Sequence, residues 1–128
     1  MGRVRNLARE RRYDKLRRVY DYRAQRDGTI TRRKLQALHA LGYSLTEIGR
    51  RIGREQQSVS DTLHSTGPVH WRTERAVARL YDELENTPLE GPYAHRTRLR
   101  ARRLGYAPPA AYDDINDPHE TPKGVLAP

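Results

Sequence analysis

The sequence predicts an all-α fold: a small helical bundle with a basic helix at each end and an irregular acidic tail. Three observations carry this. Apolar residues recur three and four positions apart, the spacing that builds one helix face. Glycine, proline and hydroxyl residues stand where helix ends need them. The third is the supply of core residues. With no Phe and one Trp in 128 residues, Leu, Ile, Val, Ala and Tyr must fill the interior. That suffices for one compact helical unit and not for two full domains.

Residues 1–27 read as a basic N-terminal helix or arm. Val4, Leu7, Ala8, Leu16, Val19 and Tyr20 give a partial apolar stripe over residues 4–25, interrupted at Arg11 and Arg12. The surrounding arginines suit an arm that follows phosphates or enters a minor groove. A solvated helix packed by its stripe accounts for them equally. Asp27-Gly28-Thr29 breaks this segment.

The bundle itself is expected over residues 28–86. Thr31 is placed to cap a helix running to Leu41 and ending at Gly42, with Leu35, Leu38 and Leu41 as its core face. Arg32, Arg33 and Lys34 occupy its first turn, where the dipole disfavours cations. An external phosphate is one reason to keep them there, and surface accident is the other. Tyr43 precedes Ser44 as a hydrophobic staple, and Ser44-Leu45-Thr46-Glu47 reads as a capping box. Leu45, Ile48 and Ile52 share a face, Gly53 ends the helix at positive φ, and Val59 and Leu63 continue an apolar face beyond. Gly49 is a poor helix former, which makes sense if a second helix crosses closely there. Two short helices joined by a glycine turn at these offsets form a helix-turn-helix unit, whose second helix lies in the DNA major groove.

Ser65-Thr66-Gly67-Pro68 is then a turn, and Val69-His70-Trp71-Arg72 an extended link or small wing, with Trp71 assigned to the core. Thr73 is placed to cap a further helix with Ala76, Val77, Leu80, Tyr81 and Leu84 as its buried stripe. These stripes predict that residues 31–84 fold alone. Residues 87–117 hold a connector and a helix opened by Pro92, followed by a Pro/Tyr/Asp segment that Tyr106, Tyr112 and Ile115 anchor to the bundle. Arg96, Arg98, Arg100, Arg102 and Arg103 make the helix a secondary basic surface with no acid of its own. It suits a second DNA-contacting element, or docking on the acidic tail, or a solvated face. Residues 118–128 are expected to be disordered.

The unit over residues 44–64 resembles the helix-turn-helix of the lambda-repressor/Cro-like class of DNA-binding regulators. Leu35-Gln36-Ala37-Leu38 and Gly42-Tyr43-Ser44 lead into it. With Ala76-Val77-Ala78-Arg79-Leu80-Tyr81-Asp82 and Ala107-Pro108-Pro109-Ala110-Ala111-Tyr112-Asp113-Asp114-Ile115, they extend the resemblance over residues 30–117 to small helix-turn-helix proteins of actinobacteria and their phages. Arg54 and Glu55 depart from its usual pattern, which has an aliphatic residue after the turn glycine and then Ser or Thr. The resemblance implies that Gln56, Gln57, Ser60, Asp61 and His64 form the base-contacting face of the second helix. Gln57 can bind adenine in bidentate fashion. Arg50, Arg51 and Arg54 flank the motif as phosphate contacts, with Ser58, Arg32 and Arg33 beside them.

Composition agrees with an anionic partner. The chain carries +9, with a pI near 10.3. The residues after Gly105 hold a net −3, which leaves about +12 on those before it. The absence of cysteine excludes disulfides and thiolate metal sites. No catalytic motif, metal-ligand spacing or cofactor fingerprint occurs, and the five histidines are scattered. No apolar run reaches membrane-spanning length. The expected function is therefore a cytoplasmic, nucleoid-located regulator that binds double-stranded operator DNA. The resemblance implies a repressor of the phage or prophage immunity type, competing with RNA polymerase as a monomer or homodimer. The alternatives are an excisionase-like or nucleoid-associated accessory factor, and a basic protein-interaction adaptor.

Overall fold

The computed structural model of the chain describes residues 23–124. The basic N-terminal helix expected over residues 4–25 lies outside them, save for its end. Residues 23 and 24 are helical, but Gln25 is already in a strand. Five helices follow: α1 Thr29–Ala40, α2 Leu45–Ile52, α3 Gln56–His64, α4 Trp71–Leu84 and α5 Pro92–Arg103. A single 3-10 turn, Pro109–Ala111, leads into the tail. The architecture is thus mostly helical, and one feature departs from the all-α expectation. Strand β1, Gln25–Arg26, pairs antiparallel with β2, Val69–His70, so that Gln25 faces His70 and Arg26 faces Val69. Two-residue strands are too short to show an alternating pattern. The extended link is therefore tied to β1 and does not stand free as a wing.

Helix ends follow local chemistry. Ser44 caps α2 by accepting a hydrogen bond from the Glu47 amide at 3.1 Å. Only half of the expected capping box forms, because the Glu47 carboxylate turns to Arg50 and Arg51 instead. Gly53 sits at φ 72° at the end of α2, the left-handed conformation that closes a helix. The expected caps Thr31 and Thr73 are both buried inside their helices. Helix α1 starts earlier, after Gly28, and the Asp27 side chain accepts from the Thr29 amide at 2.8 Å. Helix α4 starts at Trp71, and the His70 ring accepts from the Arg72 amide at 3.1 Å.

The core lies where α1 meets α4 and α5, with α2 and α3 packed on each other at one side. Leu35 and Leu38 of α1, Ile48 of α2, Val59 and Leu63 of α3, and Val77, Leu80 and Leu84 of α4 form it with Tyr43. Tyr43 is 1% exposed, and its hydroxyl donates to the Thr87 carbonyl. Helix α3 approaches α2 at Gly49, as expected, and the turn between them comes closer still. A Cβ there would meet the Arg54 carbonyl oxygen, in the turn itself, at 2.5 Å, and Val59 at 3.4 Å. Gly42, at φ 104°, likewise lets the end of α1 meet Ala94 of α5.

The segment after α5 is anchored to the bundle by the three side chains expected to do so. Ile115 belongs to the core, with Tyr106 and Tyr112 packed against it. Ala94, Ala101 and Ile115 are buried too, so the core extends beyond the residues 31–84 expected to fold alone. The expected disorder is corrected for residues 118–124, since 125–128 lie outside the described residues. Arg33 donates to the carbonyls of Asp117 and Glu120 at 2.8 and 2.9 Å. The Glu120 carboxylate accepts from the amides of Asp113 and Asp114, and Lys123 bonds back to the Ala111 carbonyl. Trp71 is corrected in the other direction: it is half-buried, stacked on His70 and overlain by Arg72, outside the core cluster. A large ring flanked by polar residues looks like a plug in sequence, whereas here its flat faces serve as a platform for those neighbours.

Candidate nucleic-acid interface

Val59 and Leu63 fix the rotation of α3, because their burial against the core turns the opposite side outward. The five residues expected to contact bases then fall into two groups. Gln57 and Asp61 stand at the exposed pole, and the Gln57 amide donates to Asp61 at 2.8 Å. Such a pair one turn apart supports the helix modestly. It also orients the Gln57 amide, leaving its carbonyl oxygen and one N–H for a partner. Asp61 is thereby committed to Gln57 within the helix.

Gln56, Ser60 and His64 form the second group and face sideways. They line one wall of a cleft of about 230 Å³, whose other wall is Thr97 and Arg100 of α5 and Leu104 just after it. His64 Nδ1 lies 2.8 Å from the Ser60 carbonyl and 3.3 Å from its hydroxyl, so the two polar groups of this wall are coupled. His39 and Tyr106 form the floor, with their rings edge to face at 6.0 Å. Burial pushes the His39 imidazole below its ordinary pKa, opposed by its bond to the Tyr43 carbonyl and helped by the charge of Arg100.

No family model matches this chain, and neither a curated protein nor a solved structure does.

The expected phosphate contacts divide as well. Arg50 projects with 70% of its side chain exposed, while Arg51 retains 30%. Both bond to Glu47, whose carboxyl is held below its ordinary range by the hydrogen bond from Arg50. Arg51 also covers the Tyr43 ring at 5.3 Å, so part of its side chain is packing. Arg54 and Ser58 are half-buried beside the turn and on the first turn of α3. Arg32 and Arg33 have internal roles that sequence reading missed. Arg32 donates to the Gly67 carbonyl at 2.8 Å and holds the turn before β2. Arg33 holds the tail and covers the Tyr112 ring. Lys34, next in line, lies over the Tyr81 ring at 5.7 Å. These partners account for three cations at a helix start without any external anion.

Sequence reading also missed Thr97 and Leu104, because nothing in the pattern brings α5 beside α3. Ala94 and Ala101, two small residues seven apart, signal the close approach of α5 to α1, where Gly42 lies beside Ala94, and not to α3. Among the described residues, no cluster of three or more His, Asp or Glu side chains could hold a metal. No described helix is long and apolar enough to cross a membrane.

Proposed function

We propose that this protein is a sequence-specific double-stranded DNA-binding regulator, acting as a repressor that occludes a promoter from RNA polymerase at the nucleoid. The observation that carries the reading is the α2–turn–α3 unit. The unit turns a polar, pre-oriented Gln57–Asp61 face outward, with the exposed Arg50 at the end of α2. A helix with such a face fits a major groove, where a glutamine amide matches the donor and acceptor of adenine. Arginine on the preceding helix fits the backbone that this helix crosses. The net charge of +9 supports an anionic partner.

Selection of bound sequences from a random duplex library, followed by titration at several salt concentrations, tests this. With about six phosphate contacts, log K should fall against log salt with a slope near −5. Gln57→Ala should lose about 1–3 kcal/mol of discrimination at one base position and leave the salt slope unchanged. Arg50→Ala should weaken cognate and random duplex alike and reduce the slope by about one. A palindromic selected site would indicate a homodimer and an asymmetric one a monomer. A flat salt response, or tight binding with no base preference at any position, would sink the repressor reading. The second of those outcomes would favour a nucleoid-associated accessory factor.

A further inference from the structure

The five arginines of α5 are not equivalent in the fold. Arg98 turns inward and donates to the carbonyls of Leu89 and Leu41, where the chain after α4 docks on the end of α1. Arg102 lines a different cleft with Ala40 and Pro108. Arg100 lines the cleft beside α3. Arg96 and Arg103 are four residues before and three after Arg100, so they share its side of the helix. All three are exposed. Arg96 lies over the Tyr93 ring at 5.2 Å, a ring that is itself 78% exposed. No acidic residue occurs in α5, and the ion pairs among the described residues involve other cations. The result, among the described residues, is an unneutralised stripe along one side of α5, of which Arg100 reaches the cleft opposite the Gln56–Ser60–His64 wall of α3.

We propose that Arg96, Arg100 and Arg103 form a second clamp on the same duplex, holding the phosphate backbone that borders the groove occupied by α3. This rests on the DNA-binding reading of α3 and extends it to a separate element. Seven residues of helix span about 10 Å along the axis. That matches about three phosphate-to-phosphate steps on one strand, at about 3.4 Å of axial rise each. Guanidinium groups suit phosphate oxygens by charge and by their forked donors. Thr97, on the same wall, donates its hydroxyl back to the Tyr93 carbonyl at 3.0 Å and belongs to the helix. The stripe carries no sequence information. It fixes how α3 is seated.

The test uses the full chain with two charge-matched triple variants. One is Arg96→Gln with Arg100→Gln and Arg103→Gln. The control is Arg75→Gln with Arg79→Gln and Arg102→Gln, all exposed and off the stripe. Both are titrated with random duplex across salt concentrations, with circular dichroism to check folding. The stripe variant should lose about 2.7 from the salt slope, about 0.9 for each phosphate contact, and the control less than one. A third variant, with lysine at the three stripe positions, should keep the slope and guards against a folding defect. If wild type binds with a steep slope and the two glutamine variants behave alike, the clamp is wrong and the α3 reading stands. If wild type shows no salt-dependent binding, both fall.

Discussion

His39 shows how one side chain couples the fold to solution conditions. It is 7% exposed, and its ring bonds the Tyr43 carbonyl through Nδ1 at 3.0 Å. In the neutral ring that nitrogen carries the proton. Burial lowers the folded pKa below the ordinary 6.5, so the unfolded chain takes up a proton more readily. The resulting stability is fully present above about pH 6.5 and is lost as pH falls from there through the lower folded value. Asp27 and Glu47, whose pKa values are also lowered, act further down, below their ordinary 3.8 and 4.5. Melting temperature should therefore fall between pH 7.5 and pH 5, and fall less in His39→Gln, whose amide can still donate to the Tyr43 carbonyl. Equal falls in both, measured by thermal circular dichroism, would remove His39 as the cause.

At the scale of elements, the α2–turn–α3 unit rests on close backbone approach at Gly49. Alanine is intrinsically the better helix former by about 1 kcal/mol. Its Cβ would lie 2.5 Å from the Arg54 carbonyl oxygen, and relieving such overpacking costs about 1–3 kcal/mol. Gly49→Ala should thus destabilise by up to about 2 kcal/mol in urea unfolding; a gain in stability would contradict this turn geometry. This unit was the most legible part of the chain. Ser44, Gly53, Val59 and Leu63 each act locally, through a cap, a left-handed residue or a helical period, and each does here what its spacing predicts. The least legible contacts are those made by arginine to distant carbonyls. Arg33 reaches residues 84 to 87 positions away, and Arg98 reaches back 57. Every residue supplies a carbonyl, so no pattern of residue types announces which one will be gripped. The candidate site was legible as a list and not as a shape: Gln57 and Asp61 form one working pair, while Gln56, Ser60 and His64 face another helix.

For the whole molecule, the decisive residue is Ile115, which enters the core from the tail at 7% exposure. Ile115→Ala should cost about 2–4 kcal/mol, the range for emptying a buried aliphatic site, and lower the urea midpoint with little change in its slope. Deleting residues 92–128 removes Ala94, Ala101 and Ile115 together. It should abolish the single cooperative transition, leaving α1 and α4 with apolar faces in water. A truncated chain that still unfolds in one sharp step would place the tail outside the core. The same residue bears on how the protein is made. Helices α2 and α3 emerge from the ribosome well before residue 115 does, so the nascent bundle carries its exposed Gln57–Asp61 face on an unfinished interior. Domains made vectorially tend to fold as units once their last core residue is out. A stalled or interrupted chain would therefore display α3 without the support that orients it, and would be open to proteolysis before the bundle closed.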